Sequence, residues 1–377
     1  MLIRHNGGGL RLAALGALGF MLVACSNSTG AETSPASGAP PAAVVASSRA
    51  ADLRTQIDLL LSEHVMIIAK ESAAAVNHSD EYSSYTSLLT TNSTDLASVW
   101  SRAFGTTAAT QLAQGWSIQN GYLVDYAIGV VTHNDDKANG AMSGLVNGFA
   151  PQFAQQIRDV GQLSLDPLTQ LIKQQVLADK ALIDDVFAQR YPAFYKNLHT
   201  AYAETSKLGD AIAAQIAQKY PDKFPGDPAA PVVDARVTLN LLLQEHSYLA
   251  TMATESVVTG RSPEKTAAAA ALATNADNLR AAFPGSATGF DKVWAARDAA
   301  LLAYAAGDGA SKPALTDTFV QDFAAVTRVD NAPVTVQVNA TIKVIDAQRA
   351  KSSKTLAAAD RAAATAMQPI ADSALQR

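Results

Sequence analysis

Leu59-Leu60-Leu61-Ser62-Glu63-His64 and, 182 residues further on, Leu241-Leu242-Leu243-Gln244-Glu245-His246 are two copies of one motif. Ile57, Leu60, Leu61, His64 and Ile68 recur at helical spacing, so the apolar stripe of an amphipathic helix includes the imidazole. Leu239, Leu242, Leu243, His246 and Leu249 repeat the arrangement. The flanking sequence repeats too. Asn92 and Leu96 match Asn275 and Leu279, Ala103-Phe104 matches Ala282-Phe283, and Trp116 with Tyr126 matches Trp294 with Tyr304. Leu208-Gly209-Asp210-Ala211 matches Ile370-Ala371-Asp372-Ser373 near the C-terminus, so both copies close at the same point.

The expected fold is all-α: two tandem antiparallel helical bundles arising from an internal duplication, over 50–222 and 232–377. A proline-rich linker, 223–231, separates them. The first copy predicts helices over about 50–77, 80–103, 107–132, 137–160, 167–190 and 192–219, with Pro151 and Pro192 as kinks or starts. Val334-Thr335-Val336-Gln337-Val338 alternates like a strand, but it aligns with Pro167-Leu168-Thr169-Gln170, which opens a helical pattern, and is read as helix.

Residues 1–24 have the form of a signal peptide: Arg4 and Arg11, then the short apolar run from Leu12 to Val23. The run ends Leu22-Val23-Ala24-Cys25, which resembles a bacterial lipobox. That resemblance implies cleavage before Cys25, acylation of its thiol and a protein anchored on the extracytoplasmic side of a membrane in the cell envelope. Cys25 is the only cysteine, so disulfides, thiolate zinc sites and a cysteine nucleophile are excluded. Residues 25–49, rich in Ser, Thr, Gly, Ala and Pro, read as the lipidated cysteine and a disordered tether. Loss of the two arginines takes the formal charge from −5 to −7, which argues against nucleic acid as a partner.

Helical spacing points His64 with Gln119, and His246 with Arg297, at the core of their own copies. A structural hydrogen bond from each imidazole, to Gln, Glu or a backbone carbonyl, is one reading. A metal site of copper or iron type is the other, with His64, Glu63, Asp125 and His199 as conceivable ligands in the first copy. No Glu-x-x-His pair is present, adjacent Glu63 and His64 diverge by about 100° on a helix, and the second copy replaces Asp125 by Ala303 and His199 by Arg361. His78 and the run His133-Asn134-Asp135-Asp136 sit where helices end and read as turns. No phosphate loop, His-Glu-x-x-His or Gly-x-Ser-x-Gly occurs, no residue is assigned a catalytic role and no cofactor is assigned.

The pattern Leu-x-x-Leu-Leu-x-Glu-His-x-x-Leu-Ala, then Asn-x-x-x-Leu, Phe-x-x-x-Trp and a Tyr ten residues on, resembles largely uncharacterised secreted bacterial proteins built of tandem helical units. Some of these are joined to copper amine oxidase N-terminal-like modules. The resemblance implies the same fold over nearly all of 50–377. In that family a His often stands three residues after the Trp; here Gln119 and Arg297 stand there, and no Asn-Tyr dipeptide is present from which an amine oxidase builds its cofactor. The expected function is a non-catalytic binding or structural module for an envelope protein or a small ligand, with a metal-binding bundle and an enzyme with a site between the bundles as alternatives.

Overall fold

The computed structural model describes residues 46–283 and 288–375, in which every regular element is helical. The stretches expected to be a signal peptide and a tether, residues 1–45 with Cys25, lie outside the described residues. In the first half α1 spans Arg49–Val76, α2 Tyr82–Phe104, α3 Thr106–Val131, α4 Asp135–Ser143, α5 Ala150–Gly161, α6 Leu165–Phe187 and α7 Tyr191–Lys219. In the second, α8 spans Pro231–Val258, α9 Ser262–Ala282, α10 Phe290–Ala305, α11 Ser311–Pro313, α12 Val320–Thr327, α13 Asn331–Arg349, α14 Ser353–Thr365 and α15 Gln368–Leu375. No helix among the described residues is long and apolar enough to cross a membrane.

Local chemistry sets the helix ends. Ser48 caps α1, its hydroxyl accepting from the Ala51 N–H at 3.2 Å. Asn134 does the same for α4 through the Lys137 N–H at 3.0 Å. His78 and His133 adopt φ of 50° and 53° just past α1 and α3, the left-handed conformation that closes a helix. Both are therefore turn residues, as their sequence position indicates. A π-turn, Gly144–Phe149, joins α4 to α5 directly ahead of Pro151, and a second, Ala314–Phe319, joins α11 to α12.

Two expectations are corrected. Residues 46–48 belong to the folded part rather than to the tether, because Ala46 is buried and its carbonyl accepts from Arg236 at 2.9 Å. The segment from Val334 to Val338 is helical, within α13, but it does not align with Pro167. Tyr126 donates to Asp184 at 2.5 Å and Tyr304 to Asp346 at 2.7 Å. These equivalent bonds pair Gln175, five residues beyond Gln170, with Gln337.

The halves share their interior. One buried cluster lies mainly within the first half around Trp100 and Trp116. The other runs from Val65, Met66 and Phe194 of the first half through Leu243 and Trp294 to Ile370 of the second. Helices α1 and α8 pack together at the centre, α7 packs on α9, and α14 packs on α2. Thus the closing helical segment of each half (α7 in the first, α14 with α15 in the second) lies against the second helix of the other through α7 and α14. Gly209 eases the approach of α1 and α7, since a Cβ there would run into the Asp58 carboxylate and lie 3.2 Å from Ile57 Cγ2.

Candidate functional site

Adjacent motif residues diverge by roughly a quarter turn on a helix, and this decides their roles. His64 and His246 enter the core of their own halves, whereas Glu63 and Glu245 face the junction. His246 is fully buried beside Trp294, ring centroids 4.8 Å apart. Arg297 Nη1 lies 2.6 Å from His246 Nε2. A guanidinium only donates, so Nε2 accepts from Arg297, while Nδ1 lies 3.0 Å from Asn275 Oδ1 and 3.3 Å from the Trp294 indole nitrogen. Asp298 Oδ1 also lies 3.2 Å from Nε2, but with the lone pair engaged its partner is Arg297, at 3.1 Å. Arg297 further reaches Gln337 Oε1 at 3.3 Å.

The first half has the same shell without the guanidinium. His64 lies 4.8 Å from Trp116 and is fully buried, yet neither ring nitrogen has a hydrogen-bond partner in the protein. Gln119, in the place of Arg297, is equally buried and unpartnered. Burial pushes the His64 pKa down to about 3. Asp179, in the place of Thr341, is fully buried against Gln175, and burial pushes its pKa up to about 8. The histidine bonds expected to Gln, Glu or backbone are therefore corrected: the partners of His246 are Asn275, Arg297 and Trp294, and His64 bonds none.

The conceivable first-half ligand set is not brought together. Asp125 is half-exposed and pairs with Lys137 at 2.6 Å, because its helix position faces outward. His199 leaves its own half, and its Nδ1 lies 2.7 Å from Glu245 Oε1. Among the described residues no group of three or more His, Cys, Asp or Glu is placed to hold a metal ion.

The junction holds what the sequence reading missed. Glu63 accepts from Asn92 at 2.9 Å, from Tyr248 at 3.0 Å and from Arg361 Nη2 at 3.1 Å. Glu245 accepts from Asn275 at 2.9 Å and faces His199. In both cases a buried carboxylate of one half is held by a basic group on the closing helix of the other. Arg361 also reaches Asp95 at 2.6 Å. Lys70 pairs with Asp360 across the junction, and Tyr85 donates to the same carboxylate at 2.6 Å. Glu81 stands nearby, its pKa pushed up to about 7 by burial and Glu255. The signal for Glu63 and Glu245 lay in the motif itself; nothing local marks Lys70 or Asp360 as partners.

Each carboxylate floors a groove. The larger, about 1050 Å³, runs between α1, α2, α14 and α15 over Leu59, Leu60, Leu88 and Val99, with Arg361 and Lys354 at its edge. The smaller, about 490 Å³, lies between α7, α8 and α9. No protein-family model, curated protein or solved structure matches the chain.

Proposed function

We propose that the protein is an extracytoplasmic envelope lipoprotein in which a duplicated helical unit forms a non-catalytic binding module. Reciprocal contacts between the halves support the duplication, because residue i of one half meeting residue j of the other, and j meeting i, is the pattern of an isologous pair. The lipobox-like Leu22-Val23-Ala24-Cys25 and the likeness to secreted bacterial helical-repeat proteins support the location. The observation that carries binding is the larger groove. Its base is apolar, Arg361 pairs with both Glu63 and Asp95, and its 1050 Å³ stands at the upper end of ligand clefts, which run to about 1000 Å³. A small ligand or an extended peptide fits this arrangement.

A photo-crosslinking amino acid in place of Thr91, in the groove, tests this in cells. A discrete adduct is expected there and none from Leu177, exposed on α6. Equal labelling at both positions would remove the groove from consideration.

A further inference from the structure

We propose that the smaller groove, between α7, α8 and α9, binds an amphiphile with a single carboxylate head and a slender apolar body, the head held by Lys196 and His199. The inference rests on the binding-module reading and gives it a ligand class for a second site. At 490 Å³ the groove lies within the range of small-molecule clefts. Its walls are mainly apolar. Leu249 of α8 faces Ala267, Ala270 and Ala271 of α9, and these small side chains leave a narrow, smooth channel.

The charged groups at the groove itself set the sign of the head group. In the larger groove, Arg361 serves two carboxylates, Glu63 and Asp95. In the smaller one the sequence places His199 where Arg361 stands, Lys196 where Ala358 stands and Pro192 where Lys354 stands. One ammonium, that of Lys354, is lost and another, that of Lys196, gained, so the smaller groove keeps a lysine beside its histidine. Glu245 is 1% exposed, and its two oxygens face His199 and Asn275. Lys196 is exposed and makes no ion pair among the described residues. The titratable groups lining the groove are Tyr195, Lys196, His199 and Glu245. Glu245 holds His199 Nδ1–H and raises the pKa of the ring, favouring the form in which Nε2 also donates. A basic mouth on a chain of formal charge −5 selects an anion locally.

Titration calorimetry of the full chain with decanoate, in detergent-free buffer, tests the assignment. One saturable site is expected. Lys196→Ala should weaken it at least tenfold, about 1.4 kcal/mol, and Ala270→Leu should block it. Decanol and decyltrimethylammonium should each bind at least tenfold more weakly than decanoate. Thermal melts of both variants identify any that fail to fold; Lys196 and Ala270 are exposed enough for folding to survive. Absence of saturation by about 1 mM decanoate, or equal affinity for decyltrimethylammonium, would overturn the assignment. If crosslinking at Thr91 succeeds while decanoate fails, only this assignment falls. If both fail, the binding-module reading falls with it.

Discussion

Arg54 and Arg236 occupy the same place in the two halves, and each reaches an aspartate on the other's first helix: Arg54 bonds Asp234, and Arg236 bonds Asp52 at 2.6 Å. Each also pairs with the closing helix of its own half, through Asp210 and Asp372 respectively. The two sites differ beneath the guanidinium. Arg54 Nε lies 3.7 Å from the fully buried Asp58, whose place in the second half is taken by the neutral Asn240. Both variants lose bonds to two aspartates and a carbonyl, but only Arg54 opposes burial and Asp210, which push the Asp58 pKa well up, so we expect Arg54→Ala to cost about 1 kcal/mol more than Arg236→Ala. Urea denaturation measures both. Adding Asp58→Asn should recover that difference, and a purely additive double variant would refute the coupling.

The histidines should respond to apolar replacement with opposite signs. His64 has no protein partner, so His64→Leu removes an unpaired polar group and should be neutral or stabilising. His246→Leu strands Asn275 and Arg297 and should cost about 2–4 kcal/mol. Chemical denaturation of the two variants decides the matter.

The pH dependence of stability separates two buried groups. The folded pKa of Asp179 is raised to about 8 from 3.8, so its contribution is fully present below 3.8 and is lost as pH rises through 8. Wild type should lose up to about 1.4 kcal/mol per pH unit from this group between those values. Asp179→Asn should therefore gain on wild type from pH 4 to 8 and level off above. The folded pKa of His64 is lowered to about 3 from 6.5, so its contribution is present above 6.5 and fades as pH falls toward 3. Between 3.8 and 6.5 the two slopes oppose each other; from 6.5 to 8 Asp179 acts without His64. Urea midpoints of wild type and Asp179→Asn across pH 4–9 give the slope directly, and parallel curves would rule out a protonated Asp179.

Across the junction, Lys70 is almost wholly buried and pairs with the buried Asp360. Lys70→Ala should cost about 3–5 kcal/mol by leaving the carboxylate uncompensated. The double change Lys70→Met with Asp360→Leu should cost much less, because it removes both desolvation penalties. A double-mutant cycle in denaturant reports the difference.

The anchor proposal has its own measurement. Cys25→Ser should move the protein from the membrane pellet to the soluble envelope fraction. A variant that still sediments with membranes would contradict acylation of Cys25.

Much of this architecture was legible in the sequence because helices announce themselves locally. The expected helix over 50–77 is observed as Arg49–Val76, and the one over 192–219 as Tyr191–Lys219. His64, Gln119, His246 and Arg297 all lie in their own cores, since periodicity alone fixes which face is inward. Partnership was not legible. His199 and Arg361 lie on the closing helices, and nothing in their local pattern says that these cross to the other half. Asp125 and His199 looked like neighbours of His64 only while each half was taken as closed. The alignment around Gln337 slipped by five residues because α13 and α6 share few side chains. It was the tyrosine–aspartate bonds, a tertiary feature, that fixed the register.

The crossing of α7 onto α9 and of α14 onto α2 also limits how this protein can change over generations. A tandem array whose units stand apart can gain or shed a unit and leave the rest intact. Here, removing either unit would strip the other of the helix that covers its flank and leave Glu63 or Glu245 facing water without its basic partner. On the proposed duplication, each half is therefore tied to the other through the carboxylates at the junction.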